Sequence, residues 1–339
     1  MRIGFLGVAH VHADAYVVAL RAAGAEVVGA TDHDPVRVRA WCDEHQVPWS
    51  PAREPLLGRV DGVLVCSETT RHRVDVEAAA AAGVAVLCEK PLATTDTDAL
   101  AIVEGCTAAD VPLVTAFPMR YSLPMRQVAE QVAGGQLGTI LAAHGTNQGE
   151  LPMRHRSWFV DPRESGGGAL MDHVVHLADV LRWLLGQDPV EVYAATNRIL
   201  HAGVVPVETG GLVVLTYADG TFASIDCSWS KPDDYPTWGG LTLELIAEGG
   251  VTEVDAFSQH LVVHGGPHGP LGWLDWGADP NRGLVEDFLA VMRDGVEPRA
   301  TGQDGLAATR VALAAARSAA SGEPVTLDHV RTDERAERA

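Results

Sequence analysis

The sequence has few cysteines, few basic residues and no long apolar run. Its five cysteines are Cys42, Cys66, Cys88, Cys106 and Cys227, an odd number with no C-x-x-C pair. This argues against a disulfide framework and against a cysteine-rich zinc site. Cys66 and Cys88 stand inside apolar runs and read as small core residues. Lys and Arg total 25 against 45 Asp and Glu, a formal net charge of -20. Such a balance repels phosphate backbones and anionic membranes, so neither nucleic acid nor a membrane is expected as a partner. No stretch reaches the ~20 uninterrupted apolar residues of a spanning helix. The opening Met1-Arg2-Ile3-Gly4-Phe5-Leu6-Gly7 lacks the apolar core of a signal peptide, so a cytoplasmic protein is expected. Also missing are the H-E-x-x-H pattern of many zinc enzymes and a complete G-x-G-x-x-G.

What remains is globular. A chain of 339 residues, 47% hydrophobic and 21% charged, is long enough for two domains. The first third alternates strand and helix signals. Strands are expected at 3–6, 25–30, 62–66, 84–88 and 113–116, with helices at 12–23, 35–45, 73–82 and 97–109. Continuous apolar strands separated by helices imply a parallel sheet covered on both faces. After Phe117 the pattern changes. Helices are expected at 124–133, 169–185 and 304–320. Alternating strands are expected at 140–147, 190–198, 211–217, 221–230, 241–247, 259–264 and 325–327. Short turns such as Ala218-Asp219-Gly220 suggest an open, mostly antiparallel sheet. The fold class is therefore α/β. It joins a Rossmann-type dinucleotide-binding domain (1–118) to a second α/β domain (119–330), with a charged tail at 331–339.

Three segments carry candidate chemistry. The first turn, Gly7-Val8-Ala9-His10-Val11-His12, stands where a dinucleotide pyrophosphate meets backbone N–H groups and a helix N-terminus. Only its first glycine matches the fingerprint. Asp32, at the end of the second strand, suits the adenosine ribose hydroxyls; the alternative is that it caps the next helix. Asp34, directly before Pro35, is the better cap. The fourth strand ends in Cys88-Glu89-Lys90-Pro91, at the carboxyl edge that faces a ligand crevice. Lys90 there can bond or protonate a reacting oxygen, or be a plain surface lysine. The third segment is Gly166-Gly167-Gly168 followed by Asp172 and His176. Spacing of four puts both on one helix face, with Asp179 a turn on and His173 on another face. This is a proton-handling pair or a satisfied interhelical histidine. His10, His12, Asp172, His173 and His176 include metal-ligand types, but no metal-site pattern is present and no metal is expected.

These residues resemble the Gfo/Idh/MocA family, which includes glucose–fructose oxidoreductase and inositol 2-dehydrogenase. The resemblance rests on Glu89-Lys90-Pro91, on the glycine run leading to Asp172 and His176, on Arg120-Tyr121-Ser122, and on the closing 302–327 segment. It implies an NAD(P)-dependent oxidoreductase. Hydride passes between the nicotinamide and a secondary hydroxyl or ketone of a small polyhydroxylated substrate, such as a sugar or inositol. It implies catalytic roles for Lys90, Asp172 and His176. It implies a cofactor site drawn from Gly7, Ala9, His10, Val11, His12, Asp32, Ser67, Thr69, His72, Glu89, Lys90 and Arg120. His173, Arg156 and Trp158 are expected to join the substrate site. NAD is favoured over NADP because Asp32 repels a 2′-phosphate, although Arg37 or Arg39 can accommodate one. A homodimer or homotetramer is implied. The chain departs from the family pattern at Ala9 and His12, where glycines are usual, and at Glu68, where the strand-three loop usually has proline. Two other classes stay open. One is a lyase or epimerase that uses NAD+ transiently; the other is a non-catalytic sensor with this fold.

Overall fold

The computed structural model describes residues 1–154, 156–265 and 272–327; the tail 331–339 lies outside the described residues. Five parallel strands form the first sheet: β1 (Arg2–Leu6), β2 (Glu26–Thr31), β3 (Gly62–Val65), β4 (Ala85–Cys88) and β5 (Leu113–Thr115). Their order is β2-β1-β3-β4-β5, so the order reverses between β1 and β3. That reversal opens a crevice at the strand ends, where ligands of such sheets bind. Helices α1 (His12–Ala22), α2 (Pro35–His45), α3 (Arg53–Leu57), α4 (His72–Ala81) and α5 (Asp96–Ala108) connect the strands. Side chains alternate across the sheet, as the period of two demands. Phe5, Leu64 and Leu87 enter one core; Leu6, Val63 and Val86 enter the other. Both faces are covered, which is why these strands read as continuous apolar runs.

The second sheet follows α6 (Leu123–Ala133). Its strands are β6 (Ile140–Glu150), β7 (Pro189–Asn197), β8 (Gly210–Tyr217), β9 (Phe222–Lys231), β10 (Gly239–Ala247), β11 (Gly250–Asp255) and, last in the chain, β14 (Val325–Thr326). Seven strands run in the order β11-β10-β6-β9-β8-β7-β14. Every pairing is antiparallel except β6 with β9. A small ribbon of β12 (His260–Val263) and β13 (Gly272–Asp275) stands apart. One face of the large sheet packs on α8 (Val175–Leu185) and α10 (Gly302–Ser321) through Leu177, Val180, Leu181, Val213, Ile225 and Ala312. The other face stays open and carries exposed Leu141, Tyr193, Leu212, Phe222 and Ile246. The short helix α7 (Pro162–Ser165) belongs to the loop before the glycine run.

Besides the short elements α3, α7, β11 and β13, the structure adds two features that bear on the site and the core. The helix expected at 169–185 begins with a π-helical turn over Leu170–Val174 and becomes α-helical at Val175. A further helix, α9 (Pro280–Asp294), follows the small ribbon. It buries Leu284, Val285 and Phe288 in the core of the first sheet, not of the second.

Candidate functional site

The phosphate loop is built around Gly7. Its φ is +77°, and an added Cβ would stand 2.4 Å from the Ser67 backbone. Only glycine fits a positive φ with backbone so close. The His10 N–H donates to the Cys66 carbonyl at 2.9 Å, tying the loop to the end of β3. The His12 N–H donates to His10 Nδ1 at 3.2 Å. His10 therefore carries its hydrogen on Nε2, which is buried without a partner. Burial pushes the His10 pKa well below its usual value.

Glu89 is fully buried under this loop. Its Oε1 accepts from His12 Nδ1 at 2.8 Å and from the Tyr16 hydroxyl at 2.7 Å, and lies 3.5 Å from His10 Nδ1. Burial opposes its charge, but the two histidines hold its pKa below the usual carboxylate range. His10, His12 and Glu89 bring three metal-type donor atoms within 4.8 Å of one another. In this structure the set is spent as hydrogen bonds. His12 thus fills the space of the missing glycine with a side chain locked to the Glu89-Lys90-Pro91 segment.

Lys90 is 4% exposed. Its ammonium donates to Asp172 Oδ1 and to the Asp172 carbonyl, both at 3.0 Å. Asp172 Oδ2 accepts from the Trp229 indole N–H at 3.1 Å. Burial alone would raise the Asp172 pKa, but Lys90 with His173 and these hydrogen bonds holds it far below normal. The partner of Asp172 is therefore Lys90, not His176 as the four-residue spacing suggests. His176 Nδ1 is buried and unpaired, and burial beside Lys90 pushes the imidazole pKa well down. The histidine is neutral at pH 7 and able to accept a proton. Asp179 is one turn further on but belongs elsewhere, paired at 2.7 Å with Arg120.

A cavity of about 520 Å³ joins these groups; its walls include His10, His12, Lys90, Asp172, His173 and His176. That volume suits a small ligand. His173 shares the cavity with His176, three residues on and so its neighbour on the helix surface. Its Nδ1 faces Asn147 Oδ1 at 3.3 Å, and its Nε2 makes no hydrogen bond but lies 3.6 Å from Asp172 Oδ2. Asp172 and His173 stand on the π-turn, and His176 follows at the start of α8. The glycine run permits close packing here: a Cβ on Gly168 would stand 2.0 Å from the Glu208 carbonyl. Glu208 Oε1 in turn accepts from the Gly168 and Leu170 N–H groups at 2.8 and 3.1 Å, satisfying the start of the helix.

Sequence reasoning missed Trp229, Glu208 and Asn147. Trp229 and Asn147 lie inside strand patterns that read as ordinary sheet; Glu208 is in a loop. None of the three has a local motif.

The remaining expected residues divide. Trp158 donates its indole N–H to the Ala9 carbonyl at 3.0 Å, so a loop of the second domain clasps the phosphate loop. Arg156 reaches Asp14 on α1 at 3.3 Å, away from the cavity wall. His72 is wholly buried between carbonyls of Ser67, Pro91 and Leu92 and ties the strand-three loop to the Lys90 loop. Thr69 borders a small recess with Lys90 and Trp158. Arg120 is spent on Asp179, Asp304 and the Arg299 carbonyl, a clamp between α8 and α10. Asp32 is buried at the end of β2 beside a cavity of about 300 Å³ lined also by Gly7, His33, Ser67 and Arg71. It receives the Val8 N–H at 2.8 Å and so braces the phosphate loop. Asp34 caps α2 through the Val36 and Arg37 N–H groups.

Comparison with known proteins agrees with this geometry. Residues 1–117 match the model of an oxidoreductase family with an NAD-binding Rossmann fold. Residues 125–253 match that of the GFO/IDH/MocA C-terminal domain. The chain is 30% identical over 335 residues to 1,5-anhydro-D-fructose reductase of Ensifer adhaerens, covering 96% of this chain and 98% of that protein. It is 30% identical over 319 residues to inositol 2-dehydrogenase of Cereibacter sphaeroides, covering 91% and 90%. It superposes with a TM-score of 0.86 on the structure of GenD2 from gentamicin A biosynthesis in complex with NAD. That match is 24% identical and covers 97% of each chain. Among the described residues, no helix is long and apolar enough to cross a membrane.

Proposed function

The chain belongs to the Gfo/Idh/MocA family of oxidoreductases with an NAD-binding Rossmann fold. From that premise we propose that it moves a hydride between NAD(H) and a secondary hydroxyl or ketone of a sugar, inositol or related polyol. The observation that carries this is the meeting of Lys90, paired with Asp172, and an unpaired neutral His176 in one cavity beside the phosphate loop.

The chain fits a dinucleotide. Gly7 lets the phosphate loop close onto the Ser67 backbone, where a Cβ would collide, and the buried, unpartnered His10 Nε2 marks a donor awaiting an acceptor. Gly7, Ala9, Val11 and His12 would hold the pyrophosphate side, and Asp32 the adenosine side. A bound nicotinamide supplies the hydride acceptor or donor. Lys90 has two ammonium hydrogens committed to Asp172 and a third for the substrate oxygen. It polarises that oxygen while His176 takes the hydroxyl proton on oxidation and returns it on reduction. Asp172 keeps Lys90 charged and aimed. His173 and Asn147 supply hydrogen bonds suited to further hydroxyls. The acidic Asp32 end supports NAD over NADP. The open face of the large sheet, with its exposed apolar residues, supports association into a homodimer or homotetramer.

The test combines fluorescence titration of NADH and NADPH with a screen of sugars and inositols. NADH is expected to bind more tightly, and a polyol to support NAD+ reduction. In a His176→Asn variant, kcat should fall roughly 10²–10⁴-fold, the usual worth of placed proton transfer. A loss below about tenfold would remove His176 from the proton step.

A further inference from the structure

Two carboxylates compete for one guanidinium at the adenosine end of the crevice. The Asp32 side chain is buried, and four protein donors reach its oxygens. These are the N–H groups of Val8 and Asp34, each at 2.8 Å, and Arg37 Nε and Nη2 at 3.1 and 2.6 Å. The same Arg37 Nη2 lies 2.8 Å from Glu68 Oε1. Glu68 is buried in the loop after β3, and its Oε2 has no hydrogen-bond partner. His33 Nδ1 and Arg71 Nε lie 3.5 and 3.7 Å from that oxygen. Arg37 thus links the ends of β2 and β3, which lie on opposite sides of β1.

A dinucleotide carrying a 2′-phosphate needs a cation with free N–H groups near the end of β2. Arg37 is the cation bonded to Asp32 there. To bind a phosphate through Nε and Nη2 it must release both carboxylates. Asp32 would then keep only the Val8 and Asp34 N–H groups, and Glu68 only the more distant His33 and Arg71, beside an added phosphate. Asp32 alone would leave Arg37 one competitor; Glu68 makes it two. We infer that Glu68 is a specificity-determining residue that selects the unphosphorylated dinucleotide by holding Arg37 away from a 2′-phosphate. Glu68 acts through Arg37, as a positioning residue. This inference rests on the proposed use of NAD(H).

The test uses the full chain freed of any retained dinucleotide. Dissociation constants for NADH and NADPH are measured by fluorescence titration for wild type, Glu68→Gln, Arg37→Ala and the double variant. The expected result is that Glu68→Gln narrows the NADH preference by about tenfold or more through tighter NADPH binding. That is the worth of one charge-assisted hydrogen bond. The gain is expected to vanish when Arg37 is also removed. A preference changed by less than about twofold overturns the inference, as does a gain that persists without Arg37. Equal loss of both cofactors with an unchanged melting temperature also overturns it, since Glu68 would then be a general binding group. If Glu68→Gln does not fold, Glu68→Asp shortens the reach to Arg37 and is scored by the same ratio. Wild type that binds neither cofactor, or binds NADPH as well as NADH, defeats the NAD(H) reading itself. That outcome is visible before any variant is compared.

Discussion

The Lys90–Asp172 pair offers the most exposing test of the site. Both side chains are at most 5% exposed, and Nζ stands 3.0 Å from Oδ1. Breaking a buried pair from one side leaves the other charge uncompensated, at a cost of about 3–5 kcal/mol. In Asp172→Asn the amide cannot satisfy both neighbours. If its oxygen faces Lys90, its NH2 meets the Trp229 N–H, two donors in opposition. Lys90→Met leaves Asp172 with the Trp229 hydrogen bond and His173 at 3.6 Å, neither of which replaces the ammonium. Each single variant should melt roughly 5–15 °C below wild type. The double variant removes both charges, so it should be less destabilised than the sum of the singles by about 2–3 kcal/mol. Activity should behave differently: kcat should fall about 10²–10⁴-fold in Lys90→Met and not recover in the double variant. Thermal and urea unfolding, with steady-state kinetics, read these separately. Single-variant effects that add in the double to within about 0.5 kcal/mol would refute the buried-pair argument.

Two more predictions concern stability. His10, His72 and His173 are buried, and burial pushes each pKa below 6.5. The folded state keeps them neutral while the unfolded chain takes up protons below about pH 6.5, so stability drops as the pH falls. The slope is about 1.4 kcal/mol per pH unit for each histidine until its folded pKa is reached. Asp172 and Glu89 have depressed pKa values, and their contribution is lost at lower pH, below about 4. A melting temperature that stays flat from pH 7 to 5 would contradict the neutral-histidine assignment. Gly7→Ala forces a Cβ to 2.4 Å from the Ser67 backbone at a φ of +77°. It should cost about 3 kcal/mol or more and abolish NADH binding; wild-type melting and affinity in that variant would show the loop to be more forgiving.

Much of this was legible in the sequence because the signals are local. The parallel strands announce themselves as apolar runs because both faces are covered. Asp34-Pro35 marks the start of α2, and the glycine run marks the helix bearing Asp172 and His176. The phase of that helix was not legible. A π-turn leaves no local signature, and the Asp172–Lys90 pair joins residues 82 apart where equal spacing suggested Asp172–His176. Glu68 with Arg37 and Trp158 with Ala9 are unions of distant segments, chosen by tertiary packing. Helix α9 is a different kind of miss. Asp279-Pro280, apolar residues at 284, 285, 288, 289 and 291, and Gly295 carry a full set of start, stripe and stop signals.

Helix α9 also bears on how such a protein is inherited. The chain leaves the first sheet after β5, builds the second, then returns to lay Leu284, Val285 and Phe288 on the first core. An added Cβ at Gly62 of β3 would stand 2.5 Å from Met292 of this helix, so the fit is close. A gene fragment ending near residue 118 therefore encodes a nucleotide-binding half with an open apolar wound. The two halves cannot be exchanged by a single crossover between them. Recombination that preserves the fold must move the returning helix together with the first sheet, so the pair is expected to be transmitted as one unit.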